Sequence, residues 1–332
     1  MVYWIILLIM ILLLTLSIIL LNIKANSKVY CKSLENPKLI SKLRPHKIYV
    51  NKFSRTLSHQ GKSISYDKCF NFPPQENLDI INSKAQTFEF MKNFGYPSPQ
   101  TVHVKDFTTT NLSYPLVLKP IHGHKGNGII TDIYNKTQLN SHLKKIKNKE
   151  NYLIQEQAEG KVYRVTVFNN KVLYIYHRVP PILEGDGKRT IAELIQLKKE
   201  EIKKINKYTT LDVSQSLIEK QGYQFDDILP KYEKIKITNL LNSNKGTTEL
   251  KMIPITQLHP LNHKMFCNIT KHLKMNIIGF DYISPSIQIP FTKAGNILEM
   301  NSRPDLSPLN QPNSDKLVRT FISDLKEVME RN

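Results

Sequence analysis

No two of the three cysteines, Cys31, Cys69 and Cys267, stand close together in the chain. An odd, scattered set excludes a metal knuckle. It predicts incidental thiols in a reducing cytosol and no disulfide framework. Acidic residues are scarce too, with 28 Asp and Glu against 47 Lys and Arg and a formal net charge of +19. The excess is almost entirely lysine and is spread along the chain. Its densest run, Lys144, Lys145, Lys147 and Lys149, lacks interleaved aromatics. A solvated basic surface is therefore expected, and no nucleic-acid partner. The chain also lacks a Walker loop, a GxGxxG fingerprint, any Ser-His-Asp or Cys-His arrangement and any internal repeat.

Charge is missing altogether from Met1 to Ile23. About 20 apolar helical residues suffice to cross a bilayer, so this stretch predicts one N-terminal transmembrane helix. Tyr3 and Trp4 sit where an interfacial aromatic pair would, and Lys24, Lys28, Lys32 and Lys38 follow the span. The positive-inside bias then predicts a single-pass membrane protein with its catalytic part in the cytoplasm. A cleaved signal peptide would want positive charge first and a shorter apolar core.

What is present reads as strands and helices in irregular alternation. Strands are expected at Lys47–Asn51, Leu116–Lys119, Gly128–Thr131, Tyr152–Gln155, Tyr163–Phe168, Val172–His177, Asn276–Ile283 and Gly295–Asn301. Helices are expected at Ser83–Asn93, Lys136–Ile146, Thr190–Lys198, Asp212–Lys220, Leu261–Leu273 and Ser314–Met329. The mixture predicts an α+β architecture, with helices covering sheets, and not a doubly wound nucleotide fold.

Two clusters carry candidate chemistry. In the first, an apolar strand ends in Lys119, and Gly123, Gly126 and Gly128 follow at once. A lysine neutralises phosphate oxygens, and glycines let backbone N–H groups close over them; a plain glycine-rich hairpin is the competing reading. In the second, Asp281 lies on one strand and Glu299 and Asn301 on another. Alternation puts Glu299 and Asn301 on one face, and their oxygens suit a partly hydrated Mg²⁺; ordinary polar outer faces are the alternative.

In order, these clusters join a Leu153–Gly160 hinge, Arg164, the stretch from Arg178 through Gly185-Asp-Gly187 to Leu194, Leu258-His-Pro-Leu-Asn262 and Asn301-Ser-Arg-Pro304. From about residue 80 onward the sequence resembles the ATP-grasp superfamily. Within it, the likeness is to the ATP-grasp module of cyanophycin synthetase-like and glutathione synthetase-like amino-acid ligases.

The resemblance implies an ATP-grasp fold, two α+β lobes gripping ATP, behind the N-terminal helix. It divides the chain into an anchor at 1–23, a preceding region at 24–112, a lid subdomain at 113–160 and a C-terminal subdomain with the Mg site at 161–330. It implies that Lys84 and Lys119 hold ATP phosphates under a lid loop at Gly123, Gly126 and Gly128. Gln155, Glu156 and Ala158 would receive the adenine. Asp281, Glu299 and Asn301 would ligate one or two Mg²⁺ ions, with Mn²⁺ an accepted substitute. Arg164, Arg178 and Arg303 would grip a substrate carboxylate or acyl phosphate, since guanidinium forks match planar anions; a surface ion pair is the alternative for each.

The implied activity is ATP-dependent joining of a carboxylate to an amine, with an amino acid as a substrate. The alternatives are a small-molecule kinase and an inactive, membrane-tethered ATP-binding protein. Expected partners are small-molecule acids and amines and the membrane, with oligomerisation left open. The chain departs from the family pattern at Val162, where relatives usually carry an acidic residue, and in the single glycine of Asn242–Gly246.

Overall fold

A computed structural model describes residues 31–331 apart from 68, 110, 124–125, 206–210 and 241–248. The chain forms two compact units. One joins the N-terminal part through Phe72 to Arg303–Asn332, and the other runs from Pro73 to Ser302.

In the first unit, β1 (Tyr49–Asn51), β2 (Thr56–His59) and β3 (Lys62–Ser65) form an antiparallel meander. Its register places Leu57 opposite Val50 and Ile64. The helix Asp315–Arg331 buries Val318, Phe321, Ile322, Leu325, Val328 and Met329, a stripe at helical spacing. Asn36 caps the helix Pro37–Leu43, accepting a hydrogen bond from the Lys38 amide. Cys31 and Cys69 are joined in a disulfide with their Cα atoms 5.4 Å apart, both buried. This corrects the expectation of incidental thiols. Their 38-residue separation carries no local pairing signal, and only the fold brings them together.

The second unit opens with two helices, Gln75–Asn82 and Lys84–Asn93. Then β4 (Thr101–His103), β5 (Leu116–Pro120), β6 (Ile130–Ile133) and β7 (Tyr152–Glu156) build a sheet of order β4-β7-β5-β6. The helix Lys136–Lys145 contributes Leu139 to a small core with Leu116, Leu118, Ile133 and Ile154.

The chain continues through β8 (Lys161–Phe168) and β9 (Lys171–Val179). It then leaves for a lobe built on β10 (Ile182–Glu184), the helix Ile191–Ile205 and β11 (Lys234–Lys236). A reciprocal capping box starts that helix: the Thr190 amide donates to Glu193 Oε2, and the Glu193 amide donates to Thr190 Oγ1. The chain returns as β12 (Glu249–Ile253), β13 (Ile277–Ser284) and β14 (Asn296–Asn301). The resulting antiparallel sheet has the order β12-β9-β8-β13-β14.

Alternation gives this sheet two unlike faces. Tyr163, Val165, Val167, Ile278, Phe280, Tyr282 and Met300 join the main core with Met265, Phe266 and Ile269 of the helix Pro260–His272. Between them, Arg164, Thr166 and Asp281 face the other way. The α+β expectation is met, with every named strand pair antiparallel.

The membrane expectation is corrected. Among the described residues no helix is long and apolar enough to cross a membrane. The span expected at 1–23 lies outside the described residues, so the single-pass localisation is withdrawn.

Replacing Cys31 and Cys69 together by serine should destabilise the first unit by roughly 2–4 kcal/mol, because the unfolded chain regains the freedom of the closed loop. Urea unfolding followed with and without reductant checks it. Equal midpoints for wild type and variant under oxidising conditions would refute it.

Candidate functional site

The register assembles the charged face of the large sheet. Tyr176 pairs with Arg164, Arg164 with Asp281, and Asp281 with Glu299, so one row crosses four strands. A second row runs Tyr174, Thr166, Gly279 and Asn301. Directly opposed residues share a face. Asp281 on β13 and Glu299 and Asn301 on β14 therefore present their oxygens on the same side.

Asp281 is only 8% exposed and sits between two guanidiniums. Arg164 Nε stands 2.6 Å from its Oδ1, and Arg178 Nη1 donates to its Oδ2 at 3.0 Å. Burial alone would raise the carboxyl pKa, but the Arg164 and Arg178 charges outweigh it and hold the group below the ordinary carboxylate range. Burial would likewise lower the pKa of Arg164, and the Asp281 charge reverses that and raises it. The Arg164 contact is a close ion pair between buried groups. Arg178 Nε and Asn301 Nδ2 are also buried without hydrogen-bond partners.

The lysines come from elsewhere in the same unit. Lys119, next to last in β5, is 4% exposed, donates to Gln155 Oε1 at 2.9 Å and stacks over the Phe88 ring. Burial pulls its pKa down to about 7, against the Glu299 charge and together with that of Lys84. Lys84 and Glu299 thus both lie within electrostatic reach of Lys119. Lys84 opens its helix just after the Ser83 cap and donates to the Gly123 carbonyl at 3.1 Å. Gly126 and Gly128 have φ of +71° and +74°, and a Cβ on Gly128 would come within 3.0 Å of the Tyr152 hydroxyl.

The other expected residues fall out unevenly. Gln155 is buried, its side-chain Oε1 accepting from Lys119 and its Nε2 donating to Thr101 Oγ1, so the side chain holds the lysine in place. Glu156 accepts from the Ser113 amide, and Ala158 follows in the hinge at intermediate exposure. Arg303 is exposed and belongs to the first unit.

The sequence reading missed Asp132. This buried residue has φ of +63° and accepts from Thr131 Oγ1, Gln157 Nε2 and Asn239 Nδ2, tying the hinge to the lobe. Its strand position gave no hint of a left-handed backbone. A cleft of about 640 Å³ beside it is lined by Gly126, Gly128, His142, Ser214 and Thr238 and contains none of the charged row.

The donor set fits Mg²⁺. Among the described residues no three His, Cys, Asp or Glu gather to hold a metal alone. Two carboxylates and an amide oxygen on one face suit an ion that keeps waters and shares phosphate oxygens.

No family model matches the chain. Cyanophycin synthetase of Crocosphaera subtropica is 28% identical over 244 residues, covering 68% of this chain and 28% of that protein. The glutathione biosynthesis bifunctional protein GshAB of Mannheimia succiniciproducens is 23% identical over 266 residues, covering 74% of this chain and 35% of its own length. A solved bifunctional glutathione synthetase from Pasteurella multocida matches with a TM-score of 0.52 at 19% identity, over 89% of this chain and 44% of that one. The chain thus spans about a third of the curated relatives it matches.

Lys119 supplies a pH test. With its pKa near 7, it is largely neutral at pH 8, and a bound triphosphate favours the charged form. ATP binding at pH 8 should therefore take up a proton, and affinity should fall as pH rises from 7 to 9. Calorimetry in buffers of different ionisation enthalpy reads this directly. A binding enthalpy independent of buffer, or equal to that of Lys119→Met, would count against it.

Proposed function

We propose that this chain, which belongs to the ATP-grasp superfamily, is an ATP-dependent ligase that joins a carboxylate to an amine, with an amino acid among its substrates. The observation that carries this reading is the convergence of Asp281, Glu299 and Asn301 on one face, whose Glu299 charge acts on Lys119 together with that of Lys84. The curated relatives and the matched structure, glutathione- and cyanophycin-forming proteins by name, support the reaction class.

The chemistry follows from charge. A carboxylate oxygen attacks the γ-phosphorus of ATP, ADP leaves, and the acyl phosphate formed is attacked by the amine, releasing phosphate and leaving an amide. Negative charge spreads over the transferred phosphoryl oxygens, so the protein contributes mainly position and neutralisation. Lys119 and Lys84 offset phosphate charge, Lys119 aimed by Gln155 and Thr101. Asp281, Glu299 and Asn301 would hold Mg²⁺, which would supply positive charge against the phosphate oxygens. Arg164 and Arg178 present forks suited to a carboxylate or an acyl phosphate. The loop carrying Gly126 and Gly128 would exclude water, which otherwise hydrolyses the intermediate.

The test is ATP-dependent phosphate release by the full chain, screened against pools of amino acids and small peptides with candidate acids. One pool should stimulate release, and Glu299→Ala should lower it by on the order of a hundredfold or more. Equal release by wild type and Glu299→Ala under every pool would end the ligase reading. Release that needs an acid but no amine would favour a kinase.

A further inference from the structure

The polarity of the large sheet reverses on its edge strand. On β8 and β13, Val165, Val167, Ile278 and Phe280 face the main core, and Arg164, Thr166 and Asp281 face away from it. On β12 only Ile253 keeps this order, pairing with Ile175 and packing against the main core. Glu249 and Lys251 share its side, and both are exposed. Leu250 and Met252 instead take the charged side, at 41% and 52% exposure. Leu250 stands opposite Arg178 and Met252 opposite Tyr176. Met252 therefore extends the row that runs through Tyr176, Arg164 and Asp281 to Glu299. Edge strands are ordinarily protected by charge, and here the charges lie on the wrong side to do it. Neither apolar side chain joins the main core, so the fold gains little from them.

The row is closed in its middle and open at its ends. Tyr176, Arg164 and Asp281 are buried, whereas Met252 at one end and Glu299 at the other are not. The ends differ in chemistry, with the oxygens of Glu299 and Asn301 at one and two apolar side chains at the other. Arg178 borders the apolar end. Opposed residues on paired strands have their Cβ atoms about 4.5–5.5 Å apart. A group held at Arg178 is thus one strand spacing from Leu250. A leucine, methionine or phenylalanine side chain reaches across that spacing, and the short side chains of alanine and serine do not.

We propose that Leu250 and Met252 form an apolar subsite that selects an amino-acid substrate with a large apolar side chain. This rests on the ligase reading, in which Arg178 grips the substrate, and it adds which side chain that substrate carries. A large apolar group would cover both residues and remove their surface from water, and a polar one would leave them wet.

The test compares kcat/KM for phosphate release by the full chain with leucine and with alanine as the amino acid. Leucine should be favoured by about tenfold or more. In the double variant Leu250→Ser, Met252→Ser, whose side chains stand at the surface, that preference should fall to about threefold or less. Ile255→Ser, another exposed apolar residue just beyond β12, should keep the full preference. A preference unchanged in the double variant, or lost equally in Ile255→Ser, would overturn the subsite. So would a double variant that changes the oligomeric state and not the preference, since β12 would then be a subunit contact.

A second measurement needs no turnover. In protein carrying ¹³C-methyl methionine, the Met252 signal is identified by its loss in Met252→Leu. It should move on adding leucine with Mg²⁺ and a non-hydrolysable ATP analogue, and move less with alanine. A Met252 signal that answers to leucine while no pool stimulates phosphate release would keep the subsite and remove the ligase reading. Amine-dependent release with an unmoved Met252 signal would keep the ligase and remove the subsite.

Discussion

The charged face of the large sheet depends on one buried carboxylate held between two guanidiniums. Asp281 lies on β13, whose eight residues are all buried between β8 and β14. A charge there is tolerable only because Arg164 stands directly across on β8 and Arg178 reaches over from β9. The register that makes this pairing also decides the two faces of the sheet. A slip of one residue would send Arg164, Asp281 and Glu299 into the apolar core and bring Val165, Phe280 and Met300 out. Core and site are thus specified by one alignment, and neither can be moved without the other.

Lys119 extends that logic to the smaller sheet. A lysine buried this deeply loses much of its preference for the charged form, which Glu299 partly restores and Lys84 further erodes. The lysine is nonetheless held in place, by Gln155 in front, Thr101 behind that amide and the Phe88 ring beneath. The group is positioned before any ligand arrives, while its charge remains adjustable. A bound polyanion would then fix the protonation state of a side chain whose location is already set.

Local pattern made much of the fold legible, and pairing made the rest illegible. The strands at Leu116, Tyr152, Tyr163 and Val172 and the helices at Lys84, Lys136 and Asp315 show their period in sequence, and the structure has them within a few residues. The meander at β2 and β3, the edge strand β12 and the short β10–β11 ribbon were not legible, because they are brief and depend on partners. The same reason hides Cys31–Cys69 and the contact of Arg164 with Asp281, whose partners are distant in sequence. Gln155 was expected at the adenine because its segment matched a hinge. Its side chain proved to face Lys119, a direction that alternation along β7 permits but no motif announces.

The matched motifs also divide by what they do. In the stretch from Arg178 to Leu194, only Arg178 touches the charged row. Asp186 accepts hydrogen bonds from the Lys188 and Arg189 amides, and Thr190 and Glu193 cap a helix. In Leu258–Asn262, the buried Asn262 donates to the Ile287 and Ile289 carbonyls and accepts from the Phe291 amide. Those residues secure turns and loop crossings, so a likeness at such positions speaks for a shared fold more than for a shared substrate. The likeness therefore argues most strongly where it falls on side chains that the fold itself would not require. Lys119, Glu299 and Asn301 are of that kind: a buried lysine, a carboxylate and an unpaired amide weaken a sheet unless something binds them.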